Sequence, residues 1–379
     1  MHSSSYRSAA SVRSAVSFGF LKTVLLLHLI VFVCIVQSCG PGVNGEPEWT
    51  YTNPVGKGID NAGFYQHGGK YYLLQNRGGG IWIQAMDDPV EADFSKMKIA
   101  VEMQKEYGLT HLWYPNIINV DGKWYIYVTA DDGNTDNHKM YVLVNENDDP
   151  TEGKFRLAGR LVTDRNDNWA IHGFVFQYGG GLYMVWSGWR SRRTYAERQC
   201  IYIARMESPV KMSGERVMIS CPEYDWELQW MQRDGESQVR YPVFVNEHPF
   251  FFCNDMTDKA YIYYSASAHW TANCCVGELW ADKDADFLDA ASWHKTRHPV
   301  FSENREAGVF GPSAPVLIPS PDMKTWYVVY SATDSDKTSH RRAIYLQPIA
   351  FSQEGHPEFG HPMPREKRLK RITSATPRT

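Results

Sequence analysis

Beyond residue 50 apolar and polar positions alternate over short runs, and one phrase recurs: an apolar strand, a turn bearing Gly or Asp, then an aromatic-rich strand. Its five copies are AGFYQHGGKYYLLQN, PNIINVDGKWYIYVTA, HGFVFQYGGGLYMVWSG, HPFFFCNDMTDKAYIYYSAS and APVLIPSPDMKTWYVVYSAT. Period-two alternation, as in KWYIYVT, marks a half-buried strand, and VDG or GGG supplies the residues a tight hairpin turn needs. With Tyr72, Tyr125, Tyr183, Ile262 and Tyr327 as equivalent points, the steps are 53, 58, 79 and 65 residues. Each step has room for one small antiparallel sheet, and helical periodicity is almost absent. A closed ring of radial sheets protects the strand edges such repeats expose, whereas a β-sandwich does not call for five similar hairpins at these long steps. The pattern predicts an all-β, five-bladed β-propeller over residues 51–360, after a short linker at 39–50 and before a basic, flexible tail at 361–379.

In such a ring the first strand of each blade lines the axis, and its leading end opens onto one face. The residues at or just before those ends are Asp60, Asn116, His172, Glu247 and Ser313. Each alone reads as a turn residue or a strand-end cap. Their recurrence at the same place in successive repeats makes them site candidates.

The start of the chain changes the picture of where the protein works. Residues 1–22 are basic, Ser-rich and free of acid, and an apolar run of 14 residues follows from Thr23 to Val36. That is the layout of a signal peptide, and the run is short for a bilayer span of about 20 residues. It ends in Val36-Gln37-Ser38-Cys39, which resembles a lipobox and makes Cys39 the expected lipidation site. The chain is therefore expected to be exported, as a surface lipoprotein or a secreted protein, with membrane contact only through that lipid. Removing Arg7, Arg13 and Lys22 with residues 1–38 leaves 36 basic residues against 43 acidic, a net of −7, so nucleic acid is not an expected partner. Cys200, Cys221, Cys253, Cys274 and Cys275 show no zinc-ligand spacing and predict no metal cluster. One or two disulfides suit an exported chain, with connectivity open.

The phrases YTNPVGKGID, DGKWYIYVTADDGNTDNHKMYVL, NWAIHGFVF, LYMVWSGW, ISCPEYDWE, VNEHP and PVFSENREAGVFGPS resemble glycoside hydrolase family 43, and within it the α-L-arabinofuranosidases. The resemblance covers roughly residues 51–350. It implies a five-bladed propeller that hydrolyses an arabinose-containing or related polysaccharide or oligosaccharide with inversion. It also implies a first-blade Asp as general base, a third-blade Asp that orients the acid and raises its pKa, and a fourth-blade Glu as general acid. Asp60 matches the base and Glu247 the acid. His172 stands at the third position. An imidazole cannot supply the like-charge repulsion that raises a neighbouring carboxyl's pKa. Asn116 stands where a substrate-contacting Glu is usual, and Ser313-Ala314 replaces the Gly-His of the fifth blade. The resemblance places an axial calcium on that His, and Ala314 offers no ligand, so no cofactor is expected.

Trp113, Tyr114, Trp169, Trp189 and Trp230 are candidates for a sugar platform or for blade core. Trp113 and Trp169, with Asn116 and Ser313, are the expected substrate contacts. Arg190, Arg192 and Arg193 form either a solvated loop or a rim for an acidic sugar. Three readings follow from the exchanged third position: a glycosidase using Asp60 and Glu247 with His172 as orienter, a glycan-binding propeller without turnover, and a glycosidase of different substrate whose proton donor is His172.

Overall fold

Five four-stranded antiparallel sheets follow one another along the chain in the computed structural model, which describes residues 50–56, 59, 62–191, 198–232, 240–257, 259–337 and 341–372. The expected signal segment, Cys39, Asp60, Arg192 and Arg193 lie outside the described residues. The first strands of the five blades are Gly63–His67, Thr110–Val120, Ala170–Tyr178, Asn246–Phe252 and Phe310–Pro319. Each of these packs against the next, and the fifth packs against the first, so the ring is closed. Among the described residues the one α-helix is the five-residue Met103–Tyr107.

The apolar faces meet between blades. Leu74 and Ile81 pack with Trp124 and Ile126 across the first interface, and Ile118 and Met140 with Trp186 and Ala204 across the second. Phe176 and Ile203 pack with Phe251 and Ile262 across the third. A fourth cluster joins Tyr263 and Val276 to Val316 and Val328 and continues to Phe64 and Tyr71, linking the last blade to the first. Burial of each large side chain contributes about 1.5–3 kcal/mol, so the ring is held mainly by these interfaces.

The equivalent residues in the second strands hold with one correction. Tyr72, Tyr125, Tyr183 and Tyr327 pair with Tyr65, Ile118, Phe176 and Ile318, but in the fourth blade the matching partner of Phe252 is Tyr261, not Ile262. Blade 4 is covered on both faces, and Tyr261 and Ile262 are both buried. Alternation therefore gave no register signal there.

The tail is the second correction. Residues 361–372 belong to the fold: Tyr51 pairs with Leu369 and Thr50 with Lys370, and Leu369 is buried. Arg371 reaches Asp88 at 2.5 Å and Glu91 at 2.7 Å. Asn53 holds Leu346 of blade 5 through its N–H at 2.9 Å and its carbonyl at 3.0 Å. The basic run looked solvated because its charges are mostly exposed, while one buried leucine and one forked arginine dock it.

Candidate active site

Strand register explains how the axial side chains are aimed. Trp113 pairs with Thr129, Ile171 with Ser187, Glu247 with Ser265 and Ser313 with Ser331, and after each pair the inner strand carries one residue more than its partner. The extra residue makes a β-bulge, which bends the strand and re-aims a side chain. At its centre stand Tyr114, His172, His248 and Ala314, with φ between 44 and 53°. Left-handed backbone costs a non-glycine residue roughly 1–2 kcal/mol, and four blades bear that cost at one height of the axis.

Hydroxyl groups from the neighbouring blade offset it. Thr129 Oγ1 of blade 2 accepts the N–H of His172 at 2.9 Å, and Ser265 Oγ of blade 4 accepts the N–H of Ala314 at 2.7 Å. Ser187 Oγ of blade 3 donates to the Asn246 carbonyl at 2.6 Å.

These bulges bring His172, Glu247 and His248 together. The two imidazoles stack, with centroids 3.7 Å apart and planes 13° from parallel, and His172 Nδ1 lies 3.6 Å from Glu247 Oε2. Glu247 Oε1 accepts the backbone N–H of His269 at 2.9 Å and lies 3.3 Å from its Nδ1. Tyr114 meets His248 edge-on at 4.7 Å. All three clustered residues are buried, and His269, 25% exposed, links them to the surface. The Nδ1 atoms of His172 and His248 have no hydrogen-bond partner in the protein.

Burial sets the protonation of the histidines. It drives His172 down to about 3 and His248 well below the ordinary imidazole range. Burial alone raises Glu247, but His248, the hydrogen bond and charge of His269, and His172 outweigh it and hold this carboxyl well below the usual carboxylate range. The stacked pair is neutral near neutral pH, so the bonds from His269 are the lasting cause. The resting site is one carboxylate beside two neutral imidazoles.

A stability prediction follows. Unfolded histidines bind protons from about pH 6.5 downward, whereas His172 stays neutral in the folded chain until about pH 3. The unfolded state therefore binds more protons across that window, and stability falls as pH drops through it. Urea midpoints measured from pH 7 to pH 4 decline, and they decline less steeply in His172→Asn.

Ligand atoms of His172, Glu247 and His248 lie within 4.8 Å of one another, the reach of a metal site. Nearly parallel stacked rings, however, direct their lone pairs side by side and not at one point, so this arrangement suits proton handling better than metal binding. The axial calcium position fares worse. Ala314 has no donor, and Ser313 Oγ accepts from the Arg342 guanidinium at 3.0 Å. That buried cation also holds Ser331 Oγ at 2.9 Å, the Ser331 carbonyl at 2.8 Å, and the carbonyls of His269 and Gly311. The residues present do not fit a calcium ion.

Other expected contacts are placed differently from one another. Asn116 lies beyond the bulge, buried, and its amide donates to the Gly173 carbonyl of blade 3 at 3.1 Å. Ser313 is buried against Arg342. Trp113 is partly buried, 6.0 Å from His172, and packs at a tilt on His138 at 3.8 Å. His138 is itself held by the Thr135 and His111 carbonyls, each at 3.0 Å. Trp169 packs on Trp189 at 3.9 Å and donates to the Thr135 carbonyl. Trp230 is exposed on the hairpin Leu228–Gln232 with Arg240–Phe244, and Arg190 is exposed between the second and third strands of blade 3.

Two contributors escaped the sequence reading. His248 heads the fourth repeat just as His172 heads the third, and aligning the copies on their first residues would have found it. Glu227 gave no such signal. It is fully buried, and its carboxylate gathers Asn246 Nδ2 at 2.8 Å, Tyr264 OH at 2.9 Å, the N–H groups of Glu223 and Tyr224, and Lys295 at 3.1 Å. Asn246 precedes Glu247, so this network fixes the strand that presents the carboxylate.

Comparison with known proteins points one way. The model of glycosyl hydrolases family 43 matches residues 93–357. An extracellular exo-alpha-(1->5)-L-arabinofuranosidase of Streptomyces avermitilis is 32% identical over 264 residues, 67% of this chain and 50% of that protein. Alpha-L-arabinofuranosidase B of Pyricularia oryzae is 28% identical over 283 residues, 73% of this chain and 55% of that protein. The chain thus spans about half the length of these curated relatives. The crystal structure of an alpha-L-arabinofuranosidase from Lactobacillus brevis superposes with a TM-score of 0.71 at 26% identity, covering 83% of this chain and 98% of that one.

Proposed function

The chain belongs to glycosyl hydrolases family 43, and from that premise we propose that it is an exported glycosidase acting on an α-L-arabinofuranoside or a related glycan with inversion. The observation that carries this reading is Glu247, a buried carboxylate on the axis beside two imidazoles and bonded to the partly exposed His269. Asp60 activates the water, in the role the family resemblance gives it. Glu247 takes up a proton when substrate displaces the His269 bonds that hold it ionised, and delivers that proton to the departing oxygen; inversion leaves room for the water between the two carboxyls. His172 and His248 offer their unpaired Nδ1 atoms to sugar hydroxyls or to Glu247. Names of the relatives support the arabinofuranoside and the extracellular setting, and the lipobox supports anchoring at Cys39. The reading includes no resident metal: Arg342 supplies the fixed positive charge near the axis, and EDTA leaves the rate unchanged.

One observation favours a second reading. A carboxylate held ionised carries no proton to give, and His172, 3.6 Å away, is the alternative donor once it is protonated, which its burial confines to acid pH.

Hydrolysis of a panel of aryl glycosides and oligosaccharides from acid to neutral pH tests the proposal. Turnover of an α-L-arabinofuranoside supports it. Glycan binding without any turnover identifies a propeller that recognises sugars only. His172→Asp separates the two proton donors. With Glu247 as acid, the new carboxylate raises its pKa by like-charge repulsion, and the alkaline limb of kcat moves up by about 1 pH unit or more. With His172 as donor, both His172→Asp and His172→Asn lower kcat by about 10²-fold or more.

A further inference from the structure

Five cysteines lie in the propeller, and two of them meet. Cys200 opens the third strand of blade 3, Cys200–Ser208, and Cys221 follows its fourth strand, Lys211–Ser220. The pairing of Ile201 with Ser220 sets Cys200 and Cys221 opposite each other one step further along. Cross-strand neighbours stand about 4.5–5.5 Å apart at Cα, inside the span that a disulfide bridges. The Sγ atoms are 2.6 Å apart, closer than two thiols in ordinary van der Waals contact.

We propose that Cys200 and Cys221 form a disulfide when the chain matures in an oxidising compartment, and that Cys253, Cys274 and Cys275 remain thiols. The surroundings assign the order of events. Cys221 is the more accessible of the pair, and the S–H it accepts from Cys200, aided by the charges of Arg190, Arg198 and Lys295, draws it down to about 7 against the effect of burial. Its thiolate attacks one sulfur of a carrier disulfide, such as that of a thiol–disulfide oxidoreductase, and releases one carrier thiolate. Cys200 then loses its proton and attacks Cys221 Sγ in the mixed disulfide, releasing the second carrier thiolate. The protein loses two hydrogens and the carrier becomes a dithiol. Burial pushes Cys274 up to about 12 and Cys275 well above the usual range, so neither competes as a nucleophile.

The bond also has a structural target. The Cys221 carbonyl accepts from Lys295 Nζ at 2.6 Å, and Lys295 is the cation of the Glu227 network. Joining Cys221 to Cys200 fastens that network to blade 3.

The test is peptide mass mapping of the chain produced through an exporting host, denatured and alkylated without reduction. The expected result is one linked peptide pair joining Cys200 to Cys221, with Cys253, Cys274 and Cys275 alkylated. In Cys221→Ser the link disappears and Cys200 is alkylated. Alkylation of both Cys200 and Cys221 in the unreduced protein, or a link from either to another cysteine, overturns the proposal.

Discussion

Glu247→Gln lowers kcat/KM for the responsive glycoside by about 10³-fold, within the range expected when a positioned general acid is lost. Glutamine keeps the length and shape of the side chain, and its carbonyl oxygen still accepts the His269 N–H that Glu247 accepts at 2.9 Å. It cannot carry a transferable proton. The loss therefore falls on kcat more than on KM, and the urea midpoint stays close to that of the parent. An aryl glycoside with a strongly acidic leaving group needs less protonation and recovers much of the rate, because proton delivery to the leaving oxygen is the step removed. Steady-state kinetics on two leaving groups reads both effects. A fall below tenfold on the poorer leaving group takes Glu247 out of proton transfer and leaves His172 as the donor.

Glu227→Ala destabilises the propeller by about 3–5 kcal/mol, the usual cost of leaving a buried charge without its partner. Lys295 is 8% exposed and Glu227 is fully buried. Removing the carboxylate takes an acceptor from the Asn246 amide, the Tyr264 hydroxyl and two backbone N–H groups at once, and leaves the Lys295 ammonium with the Cys221 carbonyl but without its buried counter-charge. Urea unfolding measures the loss. Glu227→Gln keeps acceptors for part of the network and loses less. Since Asn246 positions the strand that begins with Glu247, kcat falls in Glu227→Gln even at temperatures where the protein stays folded. Full stability in Glu227→Ala would show that the network contributes nothing beyond filling space.

How much of this was legible beforehand depends on what each residue had to signal. Hairpins announce themselves through turn chemistry and alternation, so the five blades and the ring were readable. The likeness of VNEHP and NWAIHGFVF to known motifs led to Glu247 and His172, and the bulges place both on the axis. Register within blade 4 was not readable, because a strand buried on both faces has no polar side to mark its phase. Ser313 stands near the leading end of its strand, but Asn116 lies mid-strand in Thr110–Val120, past the bulge, because the aromatic run before it gave no sign that the strand begins at Thr110. What their polar groups bond was also hidden: one holds the carbonyl of the next blade, the other a buried arginine from 29 residues away. Arg342 and Glu227 illustrate the same limit. A charged residue in a loop reads as solvated unless something in the sequence says that distant backbone will close over it.

The hydroxyls of Thr129, Ser187 and Ser265 hold main-chain groups of the adjoining blade, not side chains. Such a frame is indifferent to what stands at the bulge it secures. Chemistry at the axis is thereby uncoupled from the architecture that supports it, and a lineage can trade a carboxylate for an imidazole at position 172 without rebuilding the ring. The scaffold is a socket, and evolution on it proceeds by changing the fitting.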